Sequence, residues 1–164
     1  MNKIFPKDLA QEINHSAFVT RHAYSRATVS NLHHYIEVPL EKDKADGLMI
    51  HIGTNDLVGK SSNQKSSEEL ACGMIQIGVK ARKSKVEDIF ISSILPTKDR
   101  EANRRAKEIN TYLKQYCRSH NFIYMDNGNI NTDDLRSEEW DKVHLSPNGS
   151  RKLRENFAYY FSKY

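Results

Sequence analysis

At the centre of the fold lies Leu48-Met49-Ile50-His51-Ile52-Gly53-Thr54-Asn55-Asp56, an apolar run that ends in a polar turn. Residues 48–52 are mostly aliphatic and lie between two glycines, which is typical of a buried strand in a parallel sheet. Ligands bind in the crevice beyond the carboxyl ends of such strands, so we expect Asn55 and Asp56 to face a ligand. A simple turn is the alternative, because Asn and Asp side chains also bond their own backbone.

Helical and extended patterns alternate along the chain on both sides of this run. Helices are predicted at 5–14, at 28–36, from the capping box of Ser66 and Glu69 onward, at 99–119 and from Pro147. Strands are predicted at 17–23, 48–52, 86–94 and 122–125. This alternation favours a parallel sheet covered by helices on both faces, in a single α/β domain over residues 1–164.

Composition limits the classes of protein to which the chain can belong. It has 164 residues, a net charge of +4 and a mean hydropathy of -0.72. Cys72 and Cys117 fall on the apolar faces of predicted helices, so we expect buried free thiols in a reducing compartment. No apolar run is long enough to span a bilayer and the N-terminus lacks a signal-peptide core, so we expect a soluble, cytoplasmic protein.

A second polar cluster, Asp141-Lys142-Val143-His144, precedes the last predicted helix. An acid three residues before a histidine on a loop can orient the imidazole and stabilise its protonated form, as a general base requires. A histidine near a helix start can also serve only in capping or packing. The cluster alone therefore leaves both interpretations open.

Taken together, the two clusters resemble the SGNH (GDSL-type) hydrolases, which are esterases and lipases on a flavodoxin-like fold. The resemblance implies a three-layer α/β/α sandwich, a small ester or acyl substrate and no cofactor. It assigns the oxyanion-hole asparagine to Asn55, and the acid and base to Asp141 and His144. The segment 145–149, Leu-Ser-Pro-Asn-Gly, also fits the family pattern.

Two other family blocks depart from the pattern. The Gly-Asp-Ser block that carries the nucleophile is absent, so we expect the first strand of the fold to be missing and the chain to be truncated or a pseudoenzyme. Arg26 occupies the position of the oxyanion-hole glycine, and arginine tolerates a positive φ poorly. Ser25, Ser92 and Ser93 belong to other strand ends and are poor substitute nucleophiles. We therefore expect an ester hydrolase that is impaired or inactive as this chain stands.

Histidines and basic residues raise two other possibilities, a metal site and RNA binding. The adjacent His33 and His34 point apart on a helix and no zinc-ligand spacing occurs, so we expect no metal site. A non-catalytic binding module, binding RNA through a basic face, is the alternative function, although aromatic residues do not interleave with its cations. The cations of that face are Lys80, Arg82, Lys83, Lys85, Arg100, Arg104, Arg105 and Lys107.

Overall fold

The structure is a computed structural model that describes residues 18–58 and 65–163. Its helices are α1 (Val29–Tyr35), α2 (Glu37–Asp43), α3 (Thr54–Leu57), α4 (Ser67–Lys83), α5 (Arg100–His120) and α6 (Pro147–Lys163), with a 3-10 helix at Thr132–Asp134. Its strands are β1 (Gly47–Ile50), β2 (Asp88–Ser92) and β3 (Ile123–Met125). The helix predicted at 5–14 lies outside the described residues.

The three strands form one parallel sheet in the order β1-β2-β3. Met49 pairs with Phe90, and Phe90 pairs with Ile123. All three strands therefore end at the same edge of the sheet, where the loops after them meet. Within the described ranges β1 pairs only with β2.

Helices cover both faces of the sheet, as the period-two alternation of strand side chains requires. Ile50, Ile89 and Ile91 point to one face and pack with α1, α4 and α5. Phe90 and Met125 point to the other face and pack with Leu153 and Phe157 of α6. The predicted three-layer α/β/α architecture with a parallel sheet is confirmed.

Local signals in the sequence place the helix starts correctly. Ser66 and Glu69 form a reciprocal capping box at the start of α4, and Asp99 caps α5 through the backbone N–H of Ala102. The apolar positions predicted to face inward on α4 and α5 are buried. They are Leu70, Met74, Ile77, Ala81, Ala102, Ala106, Ile109, Leu113 and Cys117.

The strand predicted at 17–23 is wrong in the part that the structure describes. Residues 18–24 contain neither strand nor helix, and only Val19 among residues 18–23 is partly buried. A strand is stable only when a neighbour satisfies its backbone groups, and this segment does not join the sheet. The residues of this segment alone therefore did not specify a strand.

Two smaller expectations are also corrected. Helix α1 ends at Tyr35, but α2 follows at once with Pro39 in its first turn, where the missing N–H of proline is tolerated. Cys72 is exposed, whereas Cys117 is buried. Cys72 lies two residues from both Leu70 and Met74, which is about 200° around the helix from that buried face.

Among the described residues, no helix combines the length and the apolar run that crossing a membrane needs.

Candidate functional site

The loop between β3 and α6 holds Asp141 and His144 at a fixed spacing. The part of this loop that carries them, residues 135–145, is closed by an antiparallel bridge between Leu135 and Leu145. The backbone N–H of Arg136 donates to the carbonyl of His144 at 2.9 Å. The histidine therefore lies on a backbone that is tied at both ends.

Asp141 accepts two hydrogen bonds from His144, one from its backbone N–H and one from its imidazole ring. Its side chain is 1% exposed, and Oδ1 accepts from the backbone N–H of His144 at 3.0 Å and from Nδ1 of the ring at 2.7 Å. Burial raises the pKa of Asp141, but these hydrogen bonds outweigh it and hold the pKa below its ordinary value. Asp141 is therefore a carboxylate near neutral pH.

The tautomer of His144 follows from this contact. When Nδ1 carries the proton that it donates to Asp141, the neutral ring leaves Nε2 unprotonated and able to accept a proton. The side chain of His144 is 38% exposed, so it is open to solvent. An imidazole oriented in this way has the geometry that a general base requires.

Arg136 lies on the other side of the carboxylate. Its Nη1 is 3.7 Å from Oδ2 of Asp141, which is longer than a hydrogen bond. Oδ2 is buried and has no hydrogen-bond partner within the described residues. The guanidinium thus supplies positive charge beside the buried oxygen without fixing its position.

Asn55 lies in α3, directly after the turn that ends β1. The turn needs Gly53, whose φ is +115°, and a Cβ at that position would lie 2.6 Å from Cδ1 of Ile94. The Nδ2 group of Asn55 donates to the carbonyl of Ala27 at 2.9 Å. An amide NH₂ has two donor hydrogens, and the second has no partner within residues 18–58 and 65–163, so it can meet a ligand.

Asp56 does not face a ligand, which corrects the expectation from its position in the turn. It is buried, and Oδ2 accepts from the backbone N–H of Val29 at the start of α1 at 3.0 Å. Burial raises the pKa of Asp56 above its ordinary value. Asp56 therefore caps α1, whereas Asn55 has a donor hydrogen that no group of the described residues accepts.

Arg26 lies next to Ala27, the residue that Asn55 binds. Its φ is 55°, in the left-handed region, so the strain considered for a non-glycine residue is present there. The side chain of Arg26 is exposed. Asn55 thus ties the α3 turn to the segment that carries Arg26.

A polar network that sequence reasoning missed connects the three strand ends, and its members Ser92, Ser93 and Asn127 are buried. His51 Nδ1 lies 2.8 Å from Oγ of Ser92. Asn127 Nδ2 donates to the hydroxyls of Ser92 and Ser93, and Asn156 of α6 donates to Oδ1 of Asn127 at 3.0 Å. The signal was present in the sequence, because a polar residue ends or follows each strand.

This network bears on the candidate nucleophiles. Ser92 is 0% exposed and Ser93 is 3% exposed, and both hydroxyls bond to the side chain of Asn127. Ser25 is exposed and lies in the turn beside Arg26. The two buried hydroxyls support the structure and are not open to a substrate.

The proposed basic face is partly neutralised. Lys80 pairs with Glu37, and Arg104 pairs with Glu101 and Glu108. Arg105 is buried and donates to the carbonyl of Lys65. The RNA-binding alternative stays a prediction from the sequence.

Within residues 18–58 and 65–163, no group of three or more His, Cys, Asp or Glu side chains could hold a metal ion.

Comparison with known proteins identifies the family. A model of the GDSL-like lipase/acylhydrolase family matches residues 2–152. No curated protein matched significantly.

Two solved structures illustrate the similarity in fold. A catalytic mutant of Axe2, an acetylxylan esterase from Geobacillus stearothermophilus, superposes with a TM-score of 0.76 at 20% identity, covering 94% of this chain and 78% of that chain. Est24, a carbohydrate acetylesterase from Sinorhizobium meliloti, gives a TM-score of 0.77 at 17% identity, covering 96% and 84%.

Proposed function

The chain belongs to the GDSL-like lipase/acylhydrolase family, and from that premise we propose that its site is built for the serine-type hydrolysis of small acyl esters. The 2.7 Å contact between Oδ1 of Asp141 and Nδ1 of His144 carries the proposal. A base held in this tautomer is what proton abstraction from a hydroxyl requires. The esterase names of the solved structures with this fold are consistent with a small acyl group.

Each residue of the site has a role in this reaction. His144 Nε2 takes the proton of a serine hydroxyl as its oxygen attacks the acyl carbon, and Asp141 stabilises the resulting imidazolium. The free N–H of Asn55 donates to the carbonyl oxygen, which becomes an oxyanion. His144 then returns the proton to the departing alcohol, and water hydrolyses the acyl-serine by the same steps.

The nucleophile is the part that these 164 residues do not supply in the family manner. No Gly-Asp-Ser occurs among them. Ser92 and Ser93 are buried, and Ser25 is exposed but lies in a turn that follows no strand of the sheet. Without a serine, the base can activate only water. We therefore propose that the chain by itself hydrolyses esters slowly or not at all.

Hydrolysis of p-nitrophenyl acetate tests both parts of the proposal. We would compare the chain, a form extended upstream by an apolar strand ending in Gly-Asp-Ser, and His144→Ala in each. We expect activity in the extended form and a loss of about 10⁴-fold or more with His144→Ala. His120→Ala, at an exposed histidine at the end of α5, is the matched control and should leave the rate unchanged.

The other outcomes separate the two parts. Hydrolysis by the 164-residue chain that is abolished by His144→Ala would refute the inactivity and reveal a substitute nucleophile. Hydrolysis that His144→Ala leaves intact would refute the assigned base. A lack of turnover in a correctly folded extended form would refute ester hydrolysis.

A further inference from the structure

Trp140, the single tryptophan of the chain, is 78% exposed. Tryptophan has a large apolar surface that folded proteins usually bury in good part. In residues 18–58 and 65–163, no aromatic contact or hydrogen bond involves the indole of Trp140. Packing within the described structure therefore gives no reason for a tryptophan here.

Local backbone chemistry gives no reason either. The N–H of Asp141 donates to the carbonyl of Glu138 at 3.1 Å, which closes a turn with Glu139 and Trp140 as its central residues. Gly, Asn, Asp and Pro are the residues that central turn positions favour, and tryptophan is not among them. The side chain is thus better explained by something outside the described structure.

The turn is held in place from the neighbouring loop. Nζ of Lys98 donates to the carbonyl of Glu138 at 2.8 Å, and the N–H of Lys98 donates to the carbonyl of Lys142 at 2.9 Å. Lys98 follows β2, at the sheet edge where the candidate site lies. The indole is therefore presented from a backbone that is fixed on both sides of Trp140.

Trp140 is also close to the base along the chain. It directly precedes Asp141, and four peptide units separate it from His144, a path of at most about 14 Å. A ligand of one or two sugar rings can span it.

We propose that Trp140 is the stacking platform of a carbohydrate subsite, so that the ester reaching His144 is carried by a sugar. This rests on the proposed function, whose substrate class it names. A pyranose ring packs its C–H bonds on an aromatic face while its hydroxyl groups stay in water or bond to polar neighbours. Ser137, Glu139 and Lys142 are exposed polar residues on the same segment.

The surroundings favour a sugar over a lipid or a protein partner. A long acyl chain needs a concave apolar pocket, whereas Trp140 is an isolated ring among charged side chains. A stable protein interface needs a contiguous patch of about 1,000 Å² or more. One exposed ring among exposed polar residues matches an amphipathic sugar ring better than either.

Binding can be measured without turnover, because the fluorescence of the chain's single tryptophan reports Trp140 alone. We would titrate the 164-residue chain with acetylated xylotriose and expect a saturable change in emission, with none for sodium acetate. By calorimetry, Trp140→Ala should weaken binding about ten-fold, whereas Trp140→Tyr keeps an aromatic face and should stay within about three-fold. Tyr159→Ala, at another exposed aromatic residue, is the control and should bind like the parent.

Other results would overturn the subsite. Affinity that Trp140→Ala leaves unchanged, or no binding of acetylated xylotriose at all, contradicts it. An emission change that follows protein concentration instead of sugar would assign Trp140 to an interface between copies. If the sugar binds through Trp140 but the extended form hydrolyses no ester, the subsite stands and the proposed hydrolysis fails.

Discussion

Arg26 has a φ of 55°, a conformation that costs a residue with a Cβ about 1–2 kcal/mol. Glycine avoids this cost, but it adds about 0.5–1 kcal/mol of conformational freedom to the unfolded chain. We expect Arg26→Gly to raise the free energy of unfolding by up to about 1 kcal/mol. Urea denaturation followed by circular dichroism measures the change.

Arg26→Ala is the control for this prediction. It removes the exposed side chain but keeps the Cβ, so we expect its stability to stay within about 0.5 kcal/mol of the parent. If alanine stabilised as much as glycine, the side chain and not the backbone would be the cause. The strain would then have no part in the stability.

At this scale the sequence predicted local contacts and missed distant ones. Asp141 and His144 are three residues apart, so their hydrogen bond follows from spacing on one loop. Asp56 was expected to face a ligand, but its partner is the N–H of Val29, 27 residues away. A turn motif alone does not reveal such a partner, because many folds are compatible with the same turn.

Helix α1 depends on Asp56 because the carboxylate satisfies one of the free N–H groups at its first turn. We expect Asp56→Ala to lower the free energy of unfolding by about 1–3 kcal/mol, since it leaves the buried N–H of Val29 without an acceptor. Asp56→Asn keeps an acceptor oxygen and should cost less. Thermal and urea unfolding of both variants would test this, and equal losses would show that the hydrogen bond is not the cause.

Helix α6 begins closely packed on the 3-10 helix at Gly149. A Cβ at Gly149 would lie 2.3 Å from the carbonyl oxygen of Asp134, a backbone atom that cannot move aside without shifting the loop that carries His144. We expect Gly149→Ala to lower the free energy of unfolding by about 1–3 kcal/mol through overpacking.

Ser150→Ala is the matched control, one residue further along the helix, and should change stability by no more than about 0.5 kcal/mol. Differential scanning calorimetry compares the two variants. A Gly149→Ala variant as stable as the parent would mean that the contact between α6 and the 3-10 helix is loose. The glycine of the Leu-Ser-Pro-Asn-Gly segment would then need another explanation.

The elements differ in how far the sequence specifies them. Helices α4 and α5 were predicted because their capping residues and apolar periodicity lie within the segments themselves. The strand at 17–23 was wrong because a strand also depends on a neighbour, which its own residues do not encode. The polar network of His51, Ser92 and Asn127 joins three separate strand ends, so it became apparent only from the order of the sheet.

For the whole molecule, buried carboxylates link stability to pH with opposite signs. Burial raises the pKa of Asp134, but Lys152 and the surrounding hydrogen bonds outweigh it and hold the pKa below its ordinary value, as for Asp141. As the pH falls, Asp134 and Asp141 therefore become protonated in the unfolded chain before they do in the folded one. The free energy by which their carboxylates stabilise the fold is lost as the pH falls toward and through their folded-state pKa values. The pKa of Asp56 is raised in the folded state, so its protonated carboxyl group stabilises the fold. That stabilisation decreases as the pH rises from the unfolded-state pKa of Asp56 to its folded-state pKa.

The acid side of the stability profile tests this balance. We expect the free energy of unfolding to fall between pH 5 and pH 3, about one unit on either side of the ordinary aspartate value. Asp134→Asn should flatten that slope, because it removes a carboxylate paired with Lys152. Asp133→Asn, at an exposed neighbour, should leave it unchanged. Asp56→Asn should have the opposite effect and make stability fall more steeply with decreasing pH, because it removes a carboxyl group whose protonation favours the folded state. Urea denaturation at half-unit pH steps measures all four proteins, and parallel profiles for parent and Asp134→Asn would mean that the buried pair does not govern acid stability.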